Sequence, residues 1–171
     1  MSDALKQYKL YMDQISSETI PHYEPTLGRK EKEYINDVLD RNWFSEGKYT
    51  RLFEKGISKF CNVDHAITLC NGTAALILGI KALGIGRGDR IIVPTFTHPA
   101  DVNSILAVGA EAIFCDINPQ TFSIDPQKIS SCIDEKTKAI LVVHLYGFAA
   151  DMISIMEIAK ANGLYVIEDC A

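Results

Sequence analysis

From residue 66 onward the apolar positions fall into short, nearly continuous blocks. Ala66-Ile67-Thr68-Leu69-Cys70, Arg90-Ile91-Ile92-Val93-Pro94, Glu111 to Ile117, Ala139 to His144 and Leu164 to Ile167 have strand length and little polar alternation. Runs of this kind fit β-strands buried on both faces. Helix-length segments separate them: residues 73–83, residues 100–108, a stretch opened by Pro126 and reaching about Ile133, and residues 151–161. The last carries Met152, Ile155, Met156 and Ala159 on one face and closes at Asn162-Gly163. Strands alternating with helices predict an α/β fold, a mostly parallel sheet with helices on both faces. Ligands of such sheets sit beyond the carboxyl ends of the strands. That directs attention to Asn71-Gly72-Thr73, Thr95 to His98, Asp116, His144 and Asp169.

Before residue 65 the pattern changes. Pro21 to Pro25 reads as extended, residues 28–41 as a polar amphipathic helix, and Asn42 to Lys48 as a turn with an aromatic pair. Residues 49–60 read as a further helix. The expected organisation is an N-terminal arm with helices over residues 1–64, packed on an α/β domain over residues 65–171.

Each candidate position has a plain reading beside a chemical one. At Asn71-Gly72-Thr73 a strand ends, a glycine allows close backbone approach, and a helix begins. Unpaired amides and the positive end of the helix dipole suit a phosphate monoester there, and Thr73 adds a hydroxyl. The same residues also read as an ordinary Asn-capped helix start. Glu168-Asp169 follows the buried strand Tyr165-Val166-Ile167. A carboxylate so placed can hold a pyridine nitrogen protonated, or cap a following helix. His98 could lay its flat ring on a planar ligand, or be structural; His144 is similar and weaker. Gly84-Ile85-Gly86-Arg87-Gly88 precedes a strand instead of following one, so it reads as a helix-to-strand turn and not as a dinucleotide fingerprint.

Bulk properties narrow the partners. The 171 residues make one domain's worth of chain, 47% hydrophobic and 23% charged, with a net charge of −5. An acidic balance without basic runs argues against nucleic acid and against a polybasic membrane patch. The five cysteines are scattered without metal-ligand spacing, and Cys70, Cys115 and Cys170 lie in strand-like runs, as reduced core cysteines do. Residues 1–20 hold no continuous apolar segment of the signal-peptide kind, and no stretch approaches the ~18 apolar residues of a membrane span. A reduced, cytoplasmic setting and no metal are expected.

Six stretches, in order, carry a family resemblance: Tyr23-Glu24-Pro25, Asn42-Trp43-Phe44-Ser45, Asn71-Gly72-Thr73-Ala74-Ala75-Leu76, Val93-Pro94-Thr95-Phe96-Thr97, Val143-His144-Leu145-Tyr146-Gly147 and Ile167-Glu168-Asp169-Cys170-Ala171. Together they resemble the DegT/StrS group of sugar-nucleotide aminotransferases, which have the type I aminotransferase (PLP-dependent transferase) fold. Within that group the GDP-perosamine synthases are nearest in appearance. The resemblance implies that Gly72 and Thr73 hold the phosphate of pyridoxal 5′-phosphate, that Asp169 pairs with the pyridinium nitrogen, and that Ala171 packs on one ring face. His98 stands where relatives stack Tyr, Phe or Trp on the other face.

It also implies sugar-nucleotide and amino-acid substrates, glutamate as the expected amino donor, a homodimer, and a place in polysaccharide or deoxysugar biosynthesis. The lysine that forms a Schiff base with the cofactor and moves protons is expected downstream of Ala171. So are the later strands and the small C-terminal domain, which makes residues 65–171 an incomplete large domain. In that fold residues 66–70 pair with a strand from the later part, so the chain alone is expected to leave them without a neighbour and to bind cofactor weakly or not at all. A sugar 3-dehydratase of the same family, with histidine in place of the lysine, remains an alternative. So does a non-catalytic fragment or one half of a split protein.

Overall fold

A computed structural model describes residues 25–171. The extended reading from Pro21 and the Tyr23-Glu24 part of the first stretch lie outside the described residues. The chain divides into two compact units between Ala66 and Ile67.

In the first unit, helices α1 (Arg29–Asp40) and α2 (Lys48–Cys61) are joined by a short turn. The amide of Gly28 donates to Glu31 Oε2 at 2.7 Å, fixing the start of α1. Asn42, at φ +52°, ends it in the left-handed region that asparagine tolerates. Asp37 ties the two helices together, accepting from Arg41 Nε and from the Tyr49 hydroxyl, each at 2.8 Å. The Arg41 and Tyr49 hydrogen bonds hold the Asp37 carboxyl below its ordinary range. The Tyr34 and Tyr49 rings meet at 4.9 Å between centroids. No residue of either helix is buried.

The second unit is built on four parallel strands, β1 (Arg90–Pro94), β2 (Glu111–Cys115), β3 (Thr137–Val143) and β4 (Tyr165–Asp169), in the order β2-β1-β3-β4. Helices α3 (Gly72–Ala82), α4 (Pro99–Ala107), α5 (Pro126–Ile129) and α6 (Met152–Asn162) surround them. Side chains of a strand alternate between faces, and the cores follow that rule. Ile91 and Val93 of β1 and Ala139, Leu141 and Val143 of β3 pack with Leu76, Ile80 and Ile105 of α3 and α4. Ile92, Ile140 and Val142 point the other way, to Ile129, Ile155 and Ala159 of α5 and α6. Right-handed crossovers explain the split: the chain moves one way from β1 to β2 and returns past β1 to β3 and β4, so its helices change face.

The predicted elements are present with one exception. Residues 66–70 form no strand, and Ile67 is 80% exposed. An apolar stretch becomes a strand only when a neighbour takes up its backbone groups. Smaller corrections follow from local chemistry. β2 stops at Cys115, with Ile117 in an isolated bridge to Ile124. The helix opened by Pro126 changes to a 3-10 turn at Ser130–Cys132. β3 begins earlier than expected, at Thr137, whose amide and hydroxyl engage Asp134. The glycine-rich segment is a helix-to-strand turn, with Gly84 and Gly88 at φ +76° and +92°.

Of the three strand-run cysteines only Cys115 is buried; Cys70 and Cys170 are exposed because their segments lack covering layers. Burial, with the neighbouring Cys132 thiol, pushes the Cys115 thiol up to about 12. Among the described residues no helix is long and apolar enough to cross a membrane.

Ile140→Ala, in the fully buried centre of β3, is expected to cost about 2–5 kcal/mol in a urea titration. Ile67→Ala is expected to stay within about 0.5 kcal/mol of the parent; a large loss there would show that residues 66–70 are buried after all.

Candidate functional site

The first turn of α3 is organised by Asn71. Its Oδ1 accepts from the Ala74 amide at 2.8 Å and its carbonyl from the Ala75 amide at 3.1 Å. The capping reading of Asn71 is therefore realised, and it leaves the chemical reading intact. Among the described residues, the amides of Gly72 and Thr73 and the Thr73 hydroxyl have no protein partner. A methyl group on Gly72 would meet no heavy atom within 4 Å, and its φ lies outside the left-handed region. Neither packing nor backbone strain requires a glycine there. What the missing side chain preserves is a clear approach to two unpaired N–H groups at a helix start, the arrangement that receives anions.

His98 precedes Pro99, which fills the first position of α4, where a missing N–H costs nothing. Its Nδ1 accepts from the Ala100 amide at 3.1 Å, so the exposed ring is held in one orientation by its capping role. One turn into α4 lies Asp101, fully buried. One of its oxygens accepts the Thr97 hydroxyl, and its Oδ1, also buried, has no hydrogen-bond partner. Burial raises the Asp101 carboxyl to about 6, the Thr97 hydrogen bond opposing and the adjacent Asp169 carboxyl adding to the rise.

Asp169 closes β4 opposite Val143. Its Oδ1 accepts from the Ala171 amide at 2.9 Å and its carbonyl from the His144 amide at 3.0 Å. Ala171 is exposed. His144 Nδ1 accepts from the Ala150 amide at 3.1 Å, which leaves the ring proton on Nε2, facing Glu168 Oε2 at 2.9 Å. His144 thus braces the ends of β3 and β4, a structural role that fixes the strand carrying Asp169.

The fold brings most candidates to one side. α3 packs on both α4 and β4, and the Asp101 carboxyl of α4 interacts with that of Asp169 in β4. The helices that begin at Gly72 and Pro99 cover one face of the sheet, the face to which Ile167 and Asp169 of β4 point. Asp116 does not join them. It forms an ion pair with Lys128 of α5 at 2.9 Å, beside the opposite core. Asp101 is the residue that strand-end reasoning overlooks, since an acid in a first helical turn usually answers the helix dipole in solvent. The signal for it is Thr97, four residues earlier, in a segment already facing the ligand end of the sheet.

Residues 25–171 match the DegT/DnrJ/EryC1/StrS aminotransferase family. A GDP-perosamine synthase of Escherichia coli O157:H7 is 48% identical over 153 residues, 89% of this chain and 42% of the relative. The chain thus spans about two fifths of that relative's length. Among solved structures, NtdA of Bacillus subtilis with bound cofactor PMP superposes with a TM-score of 0.79 at 37% identity, covering 90% of this chain and 38% of NtdA. An E. coli GDP-4-keto-6-deoxy-D-mannose-3-dehydratase with bound hydrated PLP gives a TM-score of 0.83 at 28% identity, covering 90% of this chain and 41% of that one. With the parallel sheet and its strand-end residues in place, the chain belongs to the DegT/DnrJ/EryC1/StrS aminotransferase family.

Proposed function

We propose that this chain is the front part of a pyridoxal-phosphate-dependent enzyme that moves an amino group from glutamate to a 4-keto-6-deoxy sugar nucleotide. The observation that carries the reading is the first turn of α3, where two unpaired amides lie beneath a glycine that leaves their approach open. Pyridoxal phosphate would supply an electron sink for carbanion chemistry when bound. The residues present fit it. Gly72 and Thr73 would hold its phosphate through backbone N–H groups and a hydroxyl. Asp169, anchored by the Ala171 amide, would accept a hydrogen bond from the ring nitrogen and keep the proton there. His98 would cover one ring face and Ala171 the other.

No lysine of the described residues is given the covalent role. Lys128 reaches the end of β2 but is ion-paired there with Asp116. In domain terms, residues 1–64 would form an arm and residues 65–171 the first part of the cofactor-binding domain. A cytoplasmic homodimer acting in surface-polysaccharide synthesis accords with this reading. The likeness to the 3-dehydratase supports a second outcome from the same cradle, loss of the sugar 3-hydroxyl.

Gly72→Ala separates packing from binding. The variant is expected to keep the parent's stability within about 1 kcal/mol and to weaken pyridoxamine 5′-phosphate binding about tenfold. Amide shifts in two-dimensional NMR would place the ligand at Gly72 and Thr73. Unchanged binding, or shifts confined to other residues, would remove the phosphate assignment. The two enzymatic outcomes part at the product. Mass spectrometry of the sugar-nucleotide pool after incubating the whole enzyme, of which this chain is the front part, with glutamate is expected to show an amino sugar and 2-oxoglutarate. A 3-deoxy sugar would select the dehydratase instead.

A further inference from the structure

Asp101 is the one fully buried acid in the second unit, and its Oδ1 is buried without a donor. A bare carboxylate in that position forfeits its hydration and gains only the Thr97 hydroxyl in return. Its neighbour within hydrogen-bonding reach is a second acid, Asp169. Two carboxylates sharing one site do not both ionise readily. The environments break the tie. Asp169 is half-buried and accepts the Ala171 N–H. Asp101 is fully buried and receives only the Thr97 hydroxyl.

We propose that Asp101 is a positioning residue for Asp169: it carries a proton on Oδ1 and donates it to the Asp169 carboxylate, so that the pair holds a single negative charge. The part of this that concerns the cofactor rests on the reading of Asp169 as the partner of the ring nitrogen. Below its midpoint of about 6, a neutral Asp101 then acts as a fixed donor behind that carboxylate. It settles the orientation of Asp169 without adding a second charge beneath the ring.

The charged and titratable groups facing Asp101 are His98, at the start of its own helix, and Asp169, from β4. Burial and Asp169 oppose ionisation; the Thr97 hydrogen bond, His98 and the α4 dipole favour it. A helix dipole contributes about 0.3–1 kcal/mol at an exposed site, less than the several kcal/mol of burying an ionised carboxylate. The opposing side prevails, in line with a carboxyl raised to about 6. A carboxyl raised above its unfolded value of about 4 contributes stability below that value and loses it as pH climbs through the folded value. The folded chain therefore weakens between about pH 4 and about pH 6 on account of this pair.

The test uses the full 171-residue chain with carbon-13-labelled aspartate, titrated from about pH 3 to about pH 8 without cofactor. The Asp101 carboxyl is expected to titrate near 6, and its midpoint to fall in Asp169→Asn, which removes the neighbouring charge. A midpoint in the ordinary range near 4, or one that Asp169→Asn leaves in place, overturns the proposal.

Pyridoxamine 5′-phosphate binding, measured below the Asp101 midpoint, then separates positioning from packing. Asp101→Asn keeps a donor and is expected to bind within about twofold of the parent, whereas Asp101→Ala loses about fivefold or more. Equal loss in both variants also overturns it. If pyridoxamine phosphate binds but shifts amides away from Gly72, Thr73 and Asp169, the functional reading fails while the titration still decides the pair. If it binds and Asp101 titrates ordinarily, the pairing fails and the functional reading stands.

Discussion

Two central strands, β1 and β3, lie side by side, their buried positions apolar except for Thr137, and each must be covered on both faces at once. Their odd and even residues feed separate cores, Ile91 and Leu141 into one and Ile92 and Ile140 into the other. Burying an isoleucine contributes roughly 1.5–3 kcal/mol, so a helix layer missing from either face would expose much of what stabilises the sheet. The requirement for two layers dictates the reversal in strand order between β1 and β3. That reversal is also where loops diverge at the carboxyl edge, leaving room for a ligand. The same packing demand thus stabilises the second unit and places the candidate site.

At that edge the chain relies on short polar side chains to finish what the apolar strands begin. Asn71 and His98 cap helices, and His144 links two strand ends through Glu168 and the Ala150 amide. Each satisfies backbone or strand-end groups without using the amides of Gly72 and Thr73 or all of the Asp169 carboxylate. Structural and chemical readings of these residues are consequently compatible. Asn71 fixes the helix start, and only because that start is fixed do the next two amides converge.

Much of this could be read along the chain because the period of apolar residues follows directly from burial. The strands at β1, β3 and β4, the helices between them, and the strand-end position of Asp169 all come from that rule. Residues 66–70 show its limit: Ile67 and Leu69 satisfy the pattern, but strand formation also needs a partner for the backbone, which no local sequence reports. Cys70 and Cys170 were misplaced for a related reason, since an apolar neighbourhood in sequence is no guarantee of a covering layer. Asp101 is illegible in the sequence because its burial depends on what packs around it, Asp169 of β4 among its neighbours. Its own helix offers only an acid in a first turn, which ordinarily faces water.

The opposite edge of the sheet is held in another way. Arg90, first in β1, pairs with Glu111, first in β2, and with Asp134 in the turn before β3. These groups are substantially exposed, so mobile ions reach them, and their attraction falls as salt shortens the Debye length to about 8 Å near physiological strength. The caps of α3 and α4 at the carboxyl edge are short hydrogen bonds to backbone amides, with no free ion pair for salt to screen. Ionic strength therefore acts unequally along the strands. It weakens the Arg90 pairs at the amino-terminal rim and the exposed pair of Asp116 and Lys128 beyond β2, and leaves the caps of α3 and α4 as they are.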